Sequence, residues 1–544
     1  MRDMRRATLI TGASTRFKKL ARLPKNEFER TAPVHSVKVD TIDMDRLRYL
    51  AAFTPYHEAF EEIIKFVMDP GYYAETTAAA PDLFANSPSK LSMRSVAKML
   101  DDGNAVRFIG EVGRTGSVFE VYEEKDRLRI IFWPRQLNEE IRENYACRIA
   151  LATATQQMEG VYHGDFAVCF DLKCGYFQFA IAPELQKYFV FIGPDGEKYA
   201  MTRLVMGGVP SAEVCDLALK ILAYVGASVS SLTHIDNVRF VGTLEEVTAA
   251  AAEFRARCAY VGATLNDEDS NSPHQQGRFL GVEYDYRAKT VTASEKTKRK
   301  LTAWADAIDT LTCGDVAAMF GQVTWATTIT GVPLQPFYTS LKFIRRRLSE
   351  LASNPDGADS PANVWPCVRQ QLESWLRTLA AAGPRHPALD VPHDVPEVTL
   401  FTDASTTGWG AVMYDHQRSI VASVGGKWTP AEARRHINEL EIEAVRKTLQ
   451  AWPGLQGCDV HLRVDNTSAL AGIKRRYSHA WALNELLGKL APWLQQLRHV
   501  TIDYVASKEN WADAPSRGIP FSWHQQLASP WGRGVDRRDV GGYG

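Results

Sequence analysis

The chain has 544 residues, enough for several domains. With 45% hydrophobic and 23% charged residues it has the balance of a folded globular protein, which excludes a disordered or fibrous chain. Its formal net charge of −1 excludes a uniformly basic nucleic-acid binder, so a nucleic-acid partner has to be met by local charge.

In chain order, the first 25 residues come first, with eight Lys/Arg against one Asp. Three readings stay open: a basic arm on phosphates, a solvated terminus, or an Arg-rich targeting segment. The rest of 1–89 carries no readable motif. Residues 90–285 alternate short β-rich runs, "RLRIIFW" (127–133), "DFAVCFDL" (165–172) and "VRFVG" (238–242), with a helical stretch, "SAEVCDLALKILAYVG" (211–226). Residues 286–352 read as mostly helical, with basic clusters "EKTKRK" and "IRRRL". Pro/Asp-rich connectors follow at 353–366 and 383–396, then a new domain from 397 to about 518, then a Gly/Arg-rich tail expected to be disordered. The eight cysteines form no CxxC pair and no zinc-spaced cluster, and no apolar run is long enough to span a bilayer. The expectation is an intracellular chain with no membrane partner, cytoplasmic and/or nuclear.

Four acids in the last domain stand out. "VTLFTDAS" predicts a strand that delivers Asp403. In "HINELEIEAVRKTLQAW" (436–452), Ile437, Leu440, Ala444, Val445, Leu449 and Trp452 follow helical spacing. Glu441 falls on that apolar face, whereas Glu439 and Glu443 are rotated about 200° away, toward solvent. An acid on a buried stripe is costly unless it is paired or binds a metal. "DVHLRVDN" is a strand ending in Asp465, and "HVTIDYVASKENWADAPSRG" is a strand, a turn and a helix start carrying Asp513. Any one of these is explained as a cap or turn residue. Four in strand–helix–strand–helix order match the hard-oxygen ligand set that two divalent cations need around one phosphate.

The segments "FTDAS", "ELEIEAV", "RVDNTSA" and "KENWADAPSR" resemble, in order, the four motifs of RNase H over 398–517. That resemblance implies that Asp403, Glu441, Asp465 and Asp513 hold two Mg2+ or Mn2+ ions. It departs at Tyr504, close to where many RNases H carry a His for product release.

Upstream, "FAVCFDLKCGYFQFAI" (166–181) ends an apolar strand in Asp171 and resembles motif A of reverse transcriptases. The resemblance implies that Tyr176 packs under the sugar of the incoming nucleotide and excludes a ribose 2′-OH; without it, Tyr176 reads as a core aromatic. "YAMTRLVMGGVPSAEV" (199–214) resembles the segment in which Met206 and Gly207-Gly208 approach template and nucleotide. "RLRIIFWPRQLNEE" resembles the fingers segment, implying that Arg129, with Lys125 and Arg127 nearby, meets the triphosphate. "GRFLGVEYD" resembles the primer-grip turn. "SLTHIDNVRFVG" (231–242) reads as two strands joined at Asp236-Asn237, a plain hairpin by composition. The resemblance puts it at the YxDD hairpin, with Asp236 pairing with Asp171 around two metal ions and Asn237 in place of the second Asp. Asp269 stands about where relatives carry a Lys.

The expected fold is therefore multidomain, α+β and α/β: a right-hand polymerase followed by an RNase H-like domain. The boundaries are an extension over 1–89, fingers and palm over 90–285, thumb and connection over 286–396, RNase H over 397–518 and a tail over 519–544. Lys296, Lys298, Arg299, Lys300 and Arg345 to Arg347 are candidates for phosphate contacts, or a solvated helix face. The expected partners are an RNA template, a DNA primer, the RNA/DNA hybrid and deoxynucleoside triphosphates; oligomeric state is open. "HIN-x-LE", "TDAS-xx-GWGA" and "N-x-AD-x-x-SR" most resemble tyrosine-recombinase retrotransposons of the DIRS-like group. Two alternatives remain: a nuclease with a degenerate palm, and a domesticated nucleic-acid-binding scaffold.

Overall fold

The computed structural model describes residues 27–79, 81–83, 89–123, 126–146, 150–225, 229–387, 398–415, 419–497 and 499–519. The basic arm, Lys125 and the C-terminal tail beyond 519 lie outside the described residues. The architecture is mixed α/β and multidomain. Two compact units emerge: Met1–Thr330 with Arg346–Val364 and Leu376–Pro387, and Gly331–Arg345 with Trp365–Trp375 and Ala388–Gly544. The stretch read as thumb and connection, 286–396, contributes to both.

In the first unit a short strand, β1 (Val34–His35), pairs in parallel with β3 (Arg127–Trp133), which pairs antiparallel with β2 (Ser117–Glu123). Helix α1 (Arg135–Asn144) follows. The central sheet has the order β4-β6-β5, from β4 (Phe166–Asp171), β5 (Ser230–His234) and β6 (Asn237–Gly242), all antiparallel. Helices α2 (Ser211–Leu222) and α3 (Leu244–Val261) belong to the same core. A Thr243/Glu246 capping box starts α3, and Gly262 ends it at φ +76°.

The period-2 geometry of β4 explains its unbroken apolar run, because both faces are covered. Val168 and Phe170 join Phe240 and Phe254 on one side. Ala167 and Cys169 meet a three-stranded meander on the other: β7 (Gln276–Phe279), β8 (Val282–Asp285) and β9 (Thr290–Ala293). That face also carries a buried charge. Arg239 of β6 is 1% exposed, donates to the Gln157 carbonyl at 2.6 Å, and lies 4.5 Å and 5.0 Å from the Tyr284 and Phe279 ring centres. Cation–π attraction to the two meander rings thus helps hold the meander against the central sheet, while the charge-assisted hydrogen bond fixes Arg239 to the Gln157 carbonyl.

The second unit carries a five-stranded sheet of order β12-β11-β10-β13-β14. Its strands are β10 (Val398–Ala404), β11 (Gly408–Asp415), β12 (Ile420–Lys427), β13 (Asp459–Val464) and β14 (His499–Tyr504). β10 to β12 form an antiparallel meander, and β13 and β14 add in parallel. Helix α4 (Ile437–Ala451) buries Ile442, Val445 and Leu449 in a core shared with Leu400, Leu462, Leu487 and Leu490. Helices α5 (Thr467–Arg475), α6 (Trp481–Leu494) and the short α7 (Asp513–Ser516) complete it.

Two expectations are corrected here. Ile437 is 37% exposed, because it is the first residue of α4 and stands beyond the core that the rest of the apolar stripe covers. Glu443 does not face solvent: it is 3% exposed, and Arg446 binds it at 2.5 Å with Arg435 at 3.8 Å. The helical wheel placed it correctly relative to Glu441. It could not foresee that two guanidiniums would neutralise and cover it. Among the described residues, no helix is long and apolar enough to cross a membrane.

Candidate nucleotide and metal sites

In the first unit, Asp171 ends β4, where its cross-strand partner is Asn237. The hairpin between β5 and β6 pairs His234 with Asn237, so its two loop residues are Ile235 and Asp236, one residue earlier than the sequence suggested. Asn237 is the first residue of β6, and its side-chain amide donates to Asp236 Oδ1 at 2.8 Å. The Leu172 N–H donates to the Asp236 carbonyl at 2.8 Å, which draws the loop onto the end of β4. A Cβ on Gly175 would stand 2.9 Å from the Asp236 Cβ, so glycine there leaves room for the approach. Burial pushes the Asp236 carboxyl above its ordinary value, opposed by the amide of Asn237 and the charge of Arg129. The Asn266 side-chain amide donates to Asp171 Oδ2.

Asp171, Asp236 and Asn237 line a cavity of about 1140 Å³ together with Arg127, Arg129, Tyr176 and Met206. Tyr176 is half-buried, and its phenol is pushed up first by burial. Arg127 and Arg129 share one anion, Glu123 of β2, at 2.6 Å and 2.8 Å. His35, brought in by β1, accepts from Arg127 through its Nδ1 at 3.2 Å and lies 3.7 Å from the Cys174 sulfur. Lys296 and Lys300 also line the cavity, whereas Lys298 is paired with Glu295 at 2.9 Å.

Gly207 has a φ of +123°, and a Cβ there would lie 2.3 Å from the Phe132 carbonyl oxygen, so glycine also lets this turn approach strand β3 closely. Asn138 of α1 clamps this turn, donating to the Gly207 carbonyl at 2.9 Å and accepting from the Val209 N–H at 2.8 Å. That is a physical reason for the Asn in "RQLN", which the sequence reading left without a role. Met206 touches Arg129 through its sulfur at 3.9 Å.

In the second unit, carboxylate oxygens of Asp403, Glu441 and Asp465 lie within 4.8 Å of one another. Asp403 comes from β10, Glu441 from α4, and Asp465 follows β13, so the sheet and one helix converge on the cluster. Burial, then the charges of Asp403 and Asp465, push Glu441 up to about 9. Burial, with Asp465 and Asp513, pushes Asp403 up to about 6. Glu441 Oε2 is buried with no hydrogen-bond partner. Three converging acids with an orphaned buried oxygen fit a divalent cation bound by hard oxygen ligands. Asp513 stands outside the trio; Arg517 holds its carboxylate at 2.7 Å. Asn510 donates to the Thr402 carbonyl at 2.9 Å and to Asp403 Oδ1 at 3.3 Å, which fixes the Asp403 carboxylate. The sequence signal for Asn510 was its spacing of three from Asp513. Asn466, beside Asp465, bonds Asn438 of α4 at 2.9 Å. Tyr504 is 49% exposed at the end of β14.

Residues 370–461 match the family model of the RNase H-like domain found in reverse transcriptase. The matched segment includes Asp403 and Glu441 and ends just before Asp465. No curated protein gives a significant match. Distant likenesses exist among solved structures. The foamy viral protease-reverse transcriptase in complex with double-stranded DNA is 15% identical, with 87% of this chain and 99% of that one covered and a TM-score of 0.45. The same enzyme in complex with an RNA/DNA hybrid is 14% identical, with 87% and 64% covered and a TM-score of 0.46.

Proposed function

We propose that the chain is an RNA-directed DNA polymerase with RNase H activity, which copies RNA into DNA and degrades the RNA of the resulting hybrid. The observation that carries this reading is the pair Asp171 and Asp236 beside Arg127, Arg129 and Tyr176 in one cavity. The carboxylate trio of the second unit and the family match over 370–461 support the nuclease half.

In this reading fingers and palm span 90–285, thumb and connection 286–396, and the nuclease 397–518. Asp171 and Asp236 hold the metal ions of the polymerase, and Asp403, Glu441, Asp465 and Asp513 those of the nuclease. Two Mg2+ or Mn2+ ions per site supply, when bound, Lewis acidity and charge neutralisation at the reacting phosphate. Arg127 and Arg129 exchange Glu123 for the triphosphate of a deoxynucleotide. Tyr176 packs under its sugar and rejects a 2′-OH. Positioning of the primer end against the bound nucleotide does the rest of the work. The motif resemblance favours a DIRS-like retrotransposon as the source, with the trypanosomatid VIPER element as the specific candidate.

A second reading, a nuclease carrying an inactive palm, is favoured by Asn237 in place of the second carboxylate. The test is to assay one preparation for deoxynucleotide extension on an RNA template and for cleavage of a labelled RNA/DNA hybrid. Asp403→Asn should remove cleavage alone. Intact cleavage without extension in either metal leaves the second reading.

A further inference from the structure

The loop that presents Asp236 is built against its own preference. It is a two-residue hairpin in which the first loop residue alone, Ile235, has a positive φ of +61°. That is the pattern of a type II′ turn, whose first central position is the usual place for glycine. Here it holds a β-branched side chain, for which left-handed backbone is a true outlier. Such a conformation persists only where the surroundings over-determine it, and it gathers at working sites.

The over-determination comes from helix α2. Asp216 is 2% exposed, and its Oδ1 accepts the Ile235 N–H at 2.9 Å. Its other oxygen is bound by Lys220, one turn along α2, at 2.7 Å. The buried charge is therefore paired, and its free acceptor is aimed at one amide. From the opposite side Leu172 donates to the Asp236 carbonyl at 2.8 Å. The loop is pinned at both residues, one by a helix and one by the strand end that carries Asp171. A charged acceptor gives the stronger class of hydrogen bond, and this one is removed from water.

We propose that Asp216 is a positioning residue of the polymerase site: through the Ile235 amide it holds the strained loop in the one conformation that sets Asp236 beside Asp171. Lys220 keeps the Asp216 carboxylate turned toward that amide. This rests on the polymerase reading for its catalytic consequence, while the latch itself is a property of the fold.

The test uses the full chain with Asp216→Ala, Asp216→Asn and Lys220→Met. The first measurement is amide hydrogen exchange in the segment 230–238. Asp216→Ala should speed exchange at Ile235 by about 10- to 100-fold, and Asp216→Asn, which keeps an acceptor oxygen, should stay within a few fold of the parent. The second measurement is RNA-templated extension. Asp216→Ala should lower kcat by about 10- to 100-fold with KM for the nucleotide nearly unchanged, Asn should recover most of it, and Lys220→Met should fall between. Hybrid cleavage should be unchanged in all three, and exchange in β4 and α3 should match the parent, showing that both units are folded. Unchanged exchange in Asp216→Ala overturns the latch. Faster exchange with full extension overturns the positioning role. Loss of extension that Asn does not rescue, or loss of cleavage alongside it, assigns Asp216 to general stability and also overturns the proposal. If the parent chain itself fails to extend, the polymerase reading fails, and with it the catalytic role of Asp216. The exchange result still decides the latch separately.

Discussion

Leu172 and Asp236 are joined by a 2.8 Å backbone hydrogen bond, which draws the tip of the β5–β6 hairpin toward Asp171, the residue before Leu172. Asn237, opposite Asp171 in the ladder, closes the arrangement with its own 2.8 Å bond to Asp236. Two acids from segments about sixty residues apart thereby share one cavity with two arginines.

Those arginines are held by a substitute anion. Glu123 binds both Arg127 and Arg129, and on the proposed polymerase reading a triphosphate would have to displace it. Glu123→Gln removes the competing charge while keeping the shape. It should lower KM for deoxynucleotides by about 3- to 10-fold with kcat unchanged, as measured by steady-state extension. A KM that rises instead would make Glu123 an organiser of the arginines and not their placeholder.

Tyr176 is half-buried in the cavity wall and packs against the core that includes Phe170 and Cys215. Tyr176→Ala should open the space that a ribose 2′-OH needs. The ratio of kcat/KM for deoxy- over ribonucleotide should fall by about 10-fold or more in single-nucleotide incorporation. An unchanged ratio would return Tyr176 to a packing role.

The nuclease carboxylates predict a pH effect on stability. A carboxyl raised by folding binds its proton more tightly in the folded than in the unfolded chain. Its contribution to metal-free stability is therefore present at low pH. It is lost as pH climbs from the ordinary 3.8 and 4.5 to about 6 for Asp403 and about 9 for Glu441. Melting of the second unit in chelator should thus fall over that window, and Mg2+ or Mn2+ should restore it most at high pH. Glu441→Gln should raise the metal-free melting temperature at pH 8 by a few degrees and lower hybrid cleavage by at least about 100-fold. A variant that melts lower would place the strain elsewhere.

Much of this site is legible in the sequence because its acids end apolar strands or interrupt an apolar helical stripe. Asp171 after "AVCF", Asp465 after "HLRV" and Glu441 between Leu440 and Ala444 break local patterns, and a broken pattern is visible without coordinates. Residues that act through neighbours leave no such mark. Asp216 reads as one polar position in a buried helix, Glu123 as a charge at a strand end, and Asn138 as the last letter of a fingers motif. Their roles come from long-range packing. Glu443 was misplaced for the same reason, because periodicity gives direction on a helix and not what lies opposite. The one-residue shift of the hairpin reflects a limit of turn chemistry: Asp-Asn is a favoured tip, and nothing local announces that Ile235 takes the left-handed place.

The most direct measurement is deoxynucleotide extension of a DNA primer on an RNA template, in magnesium and in manganese, comparing the chain with Asp236→Ala. Hybrid cleavage in the same preparation serves as the control. Extension by the parent, lost by at least about 100-fold in the variant while cleavage persists, is the result predicted here. Extension that survives Asp236→Ala, or none from the parent in either metal beside intact cleavage, would contradict the assignment of Asp171 and Asp236 as a working polymerase pair.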